Sequence, residues 1–159
     1  MAFSPLKIAN WFLEQEELDQ MKLHKLVYFA HGWRLGLFDK ALINEPVEAW
    51  TYGPVVRSLY REFKEFGASP ITRPAFVWED GRKVAPRLAV QKKPVTNALL
   101  EHVWEKYGQM SGLQLSAITH LPGSPWRVVR EQNPRVRSVP IPDDLIRRYF
   151  KRLADQDAA

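Results

Sequence analysis

Cysteine is absent from the 159 residues, which excludes disulfides, thiol nucleophiles and thiolate metal sites together and agrees with a reducing compartment. Long apolar runs are absent too. The opening stretch MAFSPLKIANWFLEQEELD sets Pro5, Lys7 and the acids Glu14, Glu16, Glu17 and Asp19 among its apolar residues, so it lacks the uninterrupted apolar segment of a signal peptide. The most apolar later stretch, Leu23 to Phe38, carries Lys25, His31 and Arg34 and is too short to cross a bilayer. These absences predict a soluble, cytoplasmic chain with no membrane attachment.

The signatures of common enzymes are missing as well. No GxSxG turn presents a serine nucleophile, and neither GxGxxG nor the Walker pattern offers a phosphate cradle. Histidine occurs only four times. His24 and His31 share nearly one helical face but lie about 10 Å apart along the axis, too far for two ligands bonded to one ion at about 2 Å. His102 and His120 have no HExxH or HxH neighbour, and the acids from Glu14 to Asp19 read as a solvated turn. No catalytic group, metal or cofactor is predicted.

What is present suits one globular domain spanning residues 1–159. Apolar types make up 45% of the chain and aromatics 12%, with six Trp, enough to close a hydrophobic core without staples. The net charge of +5 comes from 23 basic and 18 acidic residues. Bases gather toward the end, from Arg127, Arg130, Arg135 and Arg137 to Arg147, Arg148, Lys151 and Arg152. Such scattered charge reads as a solvated face, leaving a nucleic-acid-binding regulator as an alternative that is not favoured.

Local signals predict a mainly α (α+β) fold, helical and compact, with a small β-hairpin or minor antiparallel sheet. Ser4-Pro5 and Ser124-Pro125 read as helix starts, since serine caps free N–H groups and proline needs no donor in a first turn. Asp19 is placed to cap a central helix whose Leu23, Leu26, Val27, Ala30 and Leu37 form an apolar stripe. Gly32 and Gly36 would let another backbone approach, and the helix is expected to end near one of them. Val47 to Thr51 reads as extended before a Tyr52-Gly53-Pro54 corner. An amphipathic helix follows, with Val56, Leu59, Tyr60, Phe63 and Phe66 on one side and a stop at Gly67. Asp80-Gly81 marks a tight hairpin expected to join Val47 to Thr51 in one small sheet. Helices after Pro94, over Ser111 to Leu121, and after Pro142 complete the pattern; in the last, Leu145, Ile146, Tyr149, Phe150 and Leu153 face inward.

Three segments carry a resemblance: Met21 to Trp33 (MKLHKLVYFAHGW), Glu45 to Tyr60 (EPVEAWTYGPVVRSLY) and Leu115 to Trp126 (LSAITHLPGSPW). In this order and spacing the chain resembles the SocA-like Panacea antitoxin family, known also from phage-associated proteins. The resemblance implies a helical antitoxin domain that neutralises a cognate toxin protein, usually the product of an adjacent gene, by direct contact. Some members resemble adaptors that deliver the toxin to a Clp-type protease; others neutralise by binding alone. Among the motif residues, those able to pack while leaving a polar tip at the surface are the candidate partner-binding residues: Lys25, Tyr28, His31, Trp50, Tyr52 and His120. An enzyme assembled from Thr119, His120 and a distant acid is the remaining alternative.

Overall fold

The central helix packs against five other helices and a strand, and its local chemistry explains where it starts and stops. In the computed structural model, which describes residues 1–158, helix α2 (Gln20–Phe38) begins at Asp19, whose carboxylate accepts from the Lys22 N–H at 2.8 Å, and ends at Asp39 in a left-handed conformation (φ 56°). Around it lie α1 (Pro5–Leu13), α3 (Arg57–Phe63), α4 (Pro94–Tyr107), α5 (Gly112–Thr119) and α7 (Asp143–Ala158), all in contact with α2, while α6 (Pro125–Gln132) joins α5 to the sheet. Serine caps open three of these: Ser4 for α1, Ser111 with Gln114 in a reciprocal capping box for α5, and Ser124 for α6.

Strands β1 (Val47–Trp50), β2 (Gly53–Val55) and β5 (Val139–Ile141) form an antiparallel sheet in the order β2-β1-β5. Trp50 pairs with Gly53 at the turn, and Val47 with Ile141 at the far side. Strands β3 (Val77–Glu79) and β4 (Arg82–Val84) form a separate hairpin about Asp80 and Gly81, both at positive φ as such a tight turn requires. The expectation that this hairpin shares a sheet with Val47 to Thr51 is therefore corrected: β1 takes β5 as its second partner. The segment leading to the hairpin is pinned instead by the buried Asn10, which donates to the Ala75 and Pro86 carbonyls and accepts from the Ala75 N–H at 2.7 Å.

Helix α2 ends at Phe38, two residues past Gly36, as expected of a stop near one of its glycines; Gly32 and Gly36 themselves lie inside it and form the notch into which α7 packs. A Cβ at Gly32 would sit 2.2 Å from the Phe150 ring, and one at Gly36 would sit 2.8 Å from the Phe150 backbone. Close packing here outweighs the low helix propensity of glycine. The single apolar stripe becomes a helix buried at every position from Leu23 to Trp33, while Leu37, assigned to the stripe, is exposed. On α3, Tyr60 likewise turns toward solvent rather than the core, and the 3-10 turn Lys64–Phe66 ends at Gly67 with φ 56°. The inward residues expected of the last helix hold their places, with Ile146 and Phe150 fully buried.

Phe150 is the centre of an aromatic cluster, with ring centroids 5.4 Å from Trp33, 5.8 Å from Tyr28 and 6.2 Å from Phe29. Phe29 stacks on Tyr107 at 4.2 Å, and the Trp33 indole N–H donates to the Tyr107 hydroxyl at 2.9 Å. His31 fastens the same seam. Its Nδ1 accepts from the Leu42 and Ile43 N–H groups, so Nε2 carries the proton and donates to Asp143 at 2.9 Å, at the start of α7.

Gly32→Ala should destabilise the fold by about 1–3 kcal/mol through overpacking, although alanine favours the helix by about 1 kcal/mol. Urea denaturation of G32A, F150A and the double variant checks this: with the Phe150 ring removed, the Gly32 substitution should become neutral or stabilising.

Candidate partner-binding groove

The β1–β2 corner lies over the first half of α2, and three contacts lock it there. The Val56 N–H donates to His24 Nδ1 at 3.3 Å, the Trp126 indole N–H donates to the Trp50 carbonyl at 2.7 Å, and Arg130 donates to the Ala49 carbonyl at 3.4 Å. Trp126 stands in the first turn of α6, just after the bend where Ser124 donates to the Thr119 carbonyl, and the His120 ring packs edge-on against its indole at 3.9 Å. The second and third sequence segments thus form one support under the corner.

Gly53 makes the corner possible. Its φ of 135° is one that side-chain-bearing residues rarely adopt, and a Cβ there would sit 2.9 Å from Lys25 Nζ. The preceding two-residue turn throws Tyr52 outward, 81% exposed. Trp50 is half-buried, its N–H donating to Glu48 at 3.0 Å and its ring lying 4.9 Å from Tyr60. Arg57 grips both Glu48 carboxylate oxygens, at 2.7 and 3.1 Å, and lies 5.6 Å from the Trp50 ring centroid. That grip holds the Glu48 carboxyl below its ordinary range.

A groove of about 740 Å³ opens beside this corner. Lys25 and His24 line it from α2; Trp50, Tyr52 and Tyr60 supply aromatic walls, and Arg137 joins from the segment before β5. Burial pushes Lys25 down to about 8, against a smaller opposing pull from Asp19. Burial, reinforced by Lys25, pushes His24 down to about 3. His120 is also lowered, first by burial and then by Lys25.

The six candidate residues separate into two groups. Lys25, Trp50 and Tyr52 meet around the groove, with His120 close enough to feel the Lys25 charge. Tyr28 and His31 do not: both are interior, and the surface-facing tips expected of them point inward, Tyr28 against Phe150 and His31 against Asp143. Burial holds the Tyr28 hydroxyl above its ordinary range. Arg57, Tyr60 and Arg137 were not selected from sequence. Tyr60 stands within the second segment, where helical spacing groups it with the core residues, and Arg137 has no local pattern that would reveal it. Among the described residues, no group of three or more His, Asp or Glu is placed to hold a metal, and no helix is long and apolar enough to cross a membrane.

The C-terminal bases are partly spoken for. Arg147 pairs with Asp144 and Asp39, Arg148 pairs with Asp144, and Arg130 donates to the Val136 carbonyl. That internal pairing lowers the positive field available to a nucleic acid.

Compared with known proteins, residues 23–127 match the family described as antitoxin SocA-like, Panacea domain. The chain is also similar to antitoxin SocA of Caulobacter vibrioides (strain NA1000 / CB15N), with 32% identity over 127 residues, covering 77% of this chain and 68% of that relative. No solved structure matches the chain significantly. The matched span contains Lys25, the corner and the Thr119–Trp126 support, and leaves out α7.

The position of His24 has a pH consequence. Its folded-state value near 3 lies below the ordinary 6.5, so the unfolded chain takes up a proton at this site first. Stability is full above pH 6.5 and falls as pH drops, by up to about 1.4 kcal/mol per pH unit and by about 2 kcal/mol at pH 5. Urea midpoints at pH 7, 6 and 5 should show this slope, and His24→Gln should flatten it; an equal slope in both proteins would assign the acid sensitivity to other groups.

Proposed function

The chain belongs to the SocA-like Panacea antitoxin family, and from that premise we propose that it neutralises a toxin protein by gripping it at the groove beside the Trp50–Pro54 corner. The observation that carries this reading is the aromatic surface beside a basic groove: Tyr52 is exposed, Trp50 and Tyr60 are in contact with each other, and both line with Tyr52 the groove in which Lys25 lies. Aromatic and cationic side chains on a rigid support give large contact area at small entropic cost, which is the composition of interface hot spots.

In this reading the whole chain acts as one Panacea-like unit in the cytoplasm. Its effect is exerted by contact, with no reaction of its own. The toxin is the product of an adjacent gene. Neutralisation proceeds by blocking the toxin in place or by presenting it to a Clp-type protease, and the two routes differ in whether the toxin survives. His120 contributes from the flank, by holding Trp126 and through it the Trp50 carbonyl.

Co-expression with the adjacent reading frame should restore growth, and the two proteins should copurify. Toxin that persists in the rescued cells indicates blocking; toxin that disappears only when the host protease is present indicates delivery. Failure of both rescue and copurification with an active toxin rejects the reading. Tyr52→Ala should leave the fold intact and weaken the complex about tenfold or more, as removal of a hot-spot aromatic does. Unchanged affinity in folded Y52A and W50A proteins would place the interface on another face.

A further inference from the structure

A charged side chain taken out of water is costly unless a counter-charge or several hydrogen bonds compensate it. Lys25 is only 4% exposed. Among the described residues its ammonium takes part in no ion pair, although nine Lys or Arg side chain–carboxylate pairs occur elsewhere among them. The acid it feels, Asp19, is occupied in capping α2.

The surroundings are arranged to keep it so. Gly53 lets Nζ lie close under the corner, because a Cβ at that position would sit 2.9 Å from the ammonium. The residues lining the groove include Lys25, Arg57 and Arg137 and no carboxylate. Arg57 is already matched by Glu48 just outside the groove, whereas Lys25 has no such match. Trp50, Tyr52 and Tyr60 line the same groove, so a partner segment seated against them would displace water from a charge pair formed there and strengthen it. The site is complete in shape and incomplete in charge.

On the antitoxin reading above, we propose that Lys25 is the seat for a carboxylate carried by the toxin: an acidic residue on the toxin's docking segment enters between Trp50, Tyr52 and Tyr60 and pairs with the ammonium. The partner's contact segment is then acidic with apolar neighbours. The same arrangement gives specificity, since a toxin surface presenting a neutral or basic residue leaves the cation buried and uncompensated.

The test uses the complex formed with the co-expressed product of the adjacent reading frame. A carbodiimide joins an amine to a carboxylate only where the two are already in contact, so peptide mapping should find an amide between Lys25 and an acidic side chain, or the terminal carboxylate, of the toxin. Lys25→Met should lower affinity by about thirtyfold or more, as expected when one partner of a desolvated charge pair is removed. Its unfolding midpoint should stay the same or rise, because a buried unpaired charge has been removed. Loss of binding together with loss of fold would indicate a structural lysine and overturn the proposal. A complex that forms normally, with no crosslink at Lys25 and full affinity in K25M, overturns it while leaving the antitoxin reading intact. A complex dispersed by nuclease overturns it in favour of a phosphate ligand. Absence of any complex removes both.

Discussion

The structure depends on one helix having almost no free side. Between Leu23 and Trp33 every residue of α2 is buried, so each polar group on that stretch must find a partner inside the protein or present itself at an opening. His31 takes the first course completely, with two backbone donors on one ring nitrogen and Asp143 on the other. His24 takes it by staying neutral and accepting from the Val56 N–H. Lys25 takes the second. The functional reading grows from that difference: three basic residues within eight positions of one helix share the same burial, and only one faces a groove without compensation.

The corner over α2 is held from both directions in the chain. His24 below anchors its exit strand, while the Trp126 and Arg130 side chains donate to the Trp50 and Ala49 carbonyls of its entering strand. Main-chain anchors fix the backbone and leave Trp50 and Tyr52 side chains available. A loop fixed this way has little conformational freedom to lose when something binds, whereas a floppy aromatic loop would give back much of its contact energy as lost entropy.

Much of the fold was legible locally, because caps and tight turns are written in neighbouring residues. Ser4-Pro5, Asp19, Ser124-Pro125 and Asp80-Gly81 each act where they stand. Strand β5 was not legible. Val139–Ile141 is three residues long with a proline in the middle, and only its distant pairing with β1 makes it a strand. Periodicity also failed along α2, since helical spacing identifies an inward face only when some other face is outward. That is why Tyr28 and His31 looked like surface candidates beside Lys25. Gly32 and Gly36 mark both a close approach, filled by Phe150, and the neighbourhood of the helix end, which falls at Phe38, two residues past Gly36. Of the candidate site, the corner was visible through its motif, and the contributions of Arg57, Tyr60 and Arg137 required the fold.

The notch at Gly32 and Gly36 lies within the span shared with the family, but the residue that fills it, Phe150, lies beyond that span. A chimera built by transplanting residues 23–127 alone would inherit a keyhole without its key: an open slot edged by Tyr28, Phe29 and Trp33, ready to recruit stray apolar surface. Exchange of recognition surfaces between homologous scaffolds has to carry the host's own α7 and its matching glycines as a set, or the graft will aggregate before it can discriminate among targets.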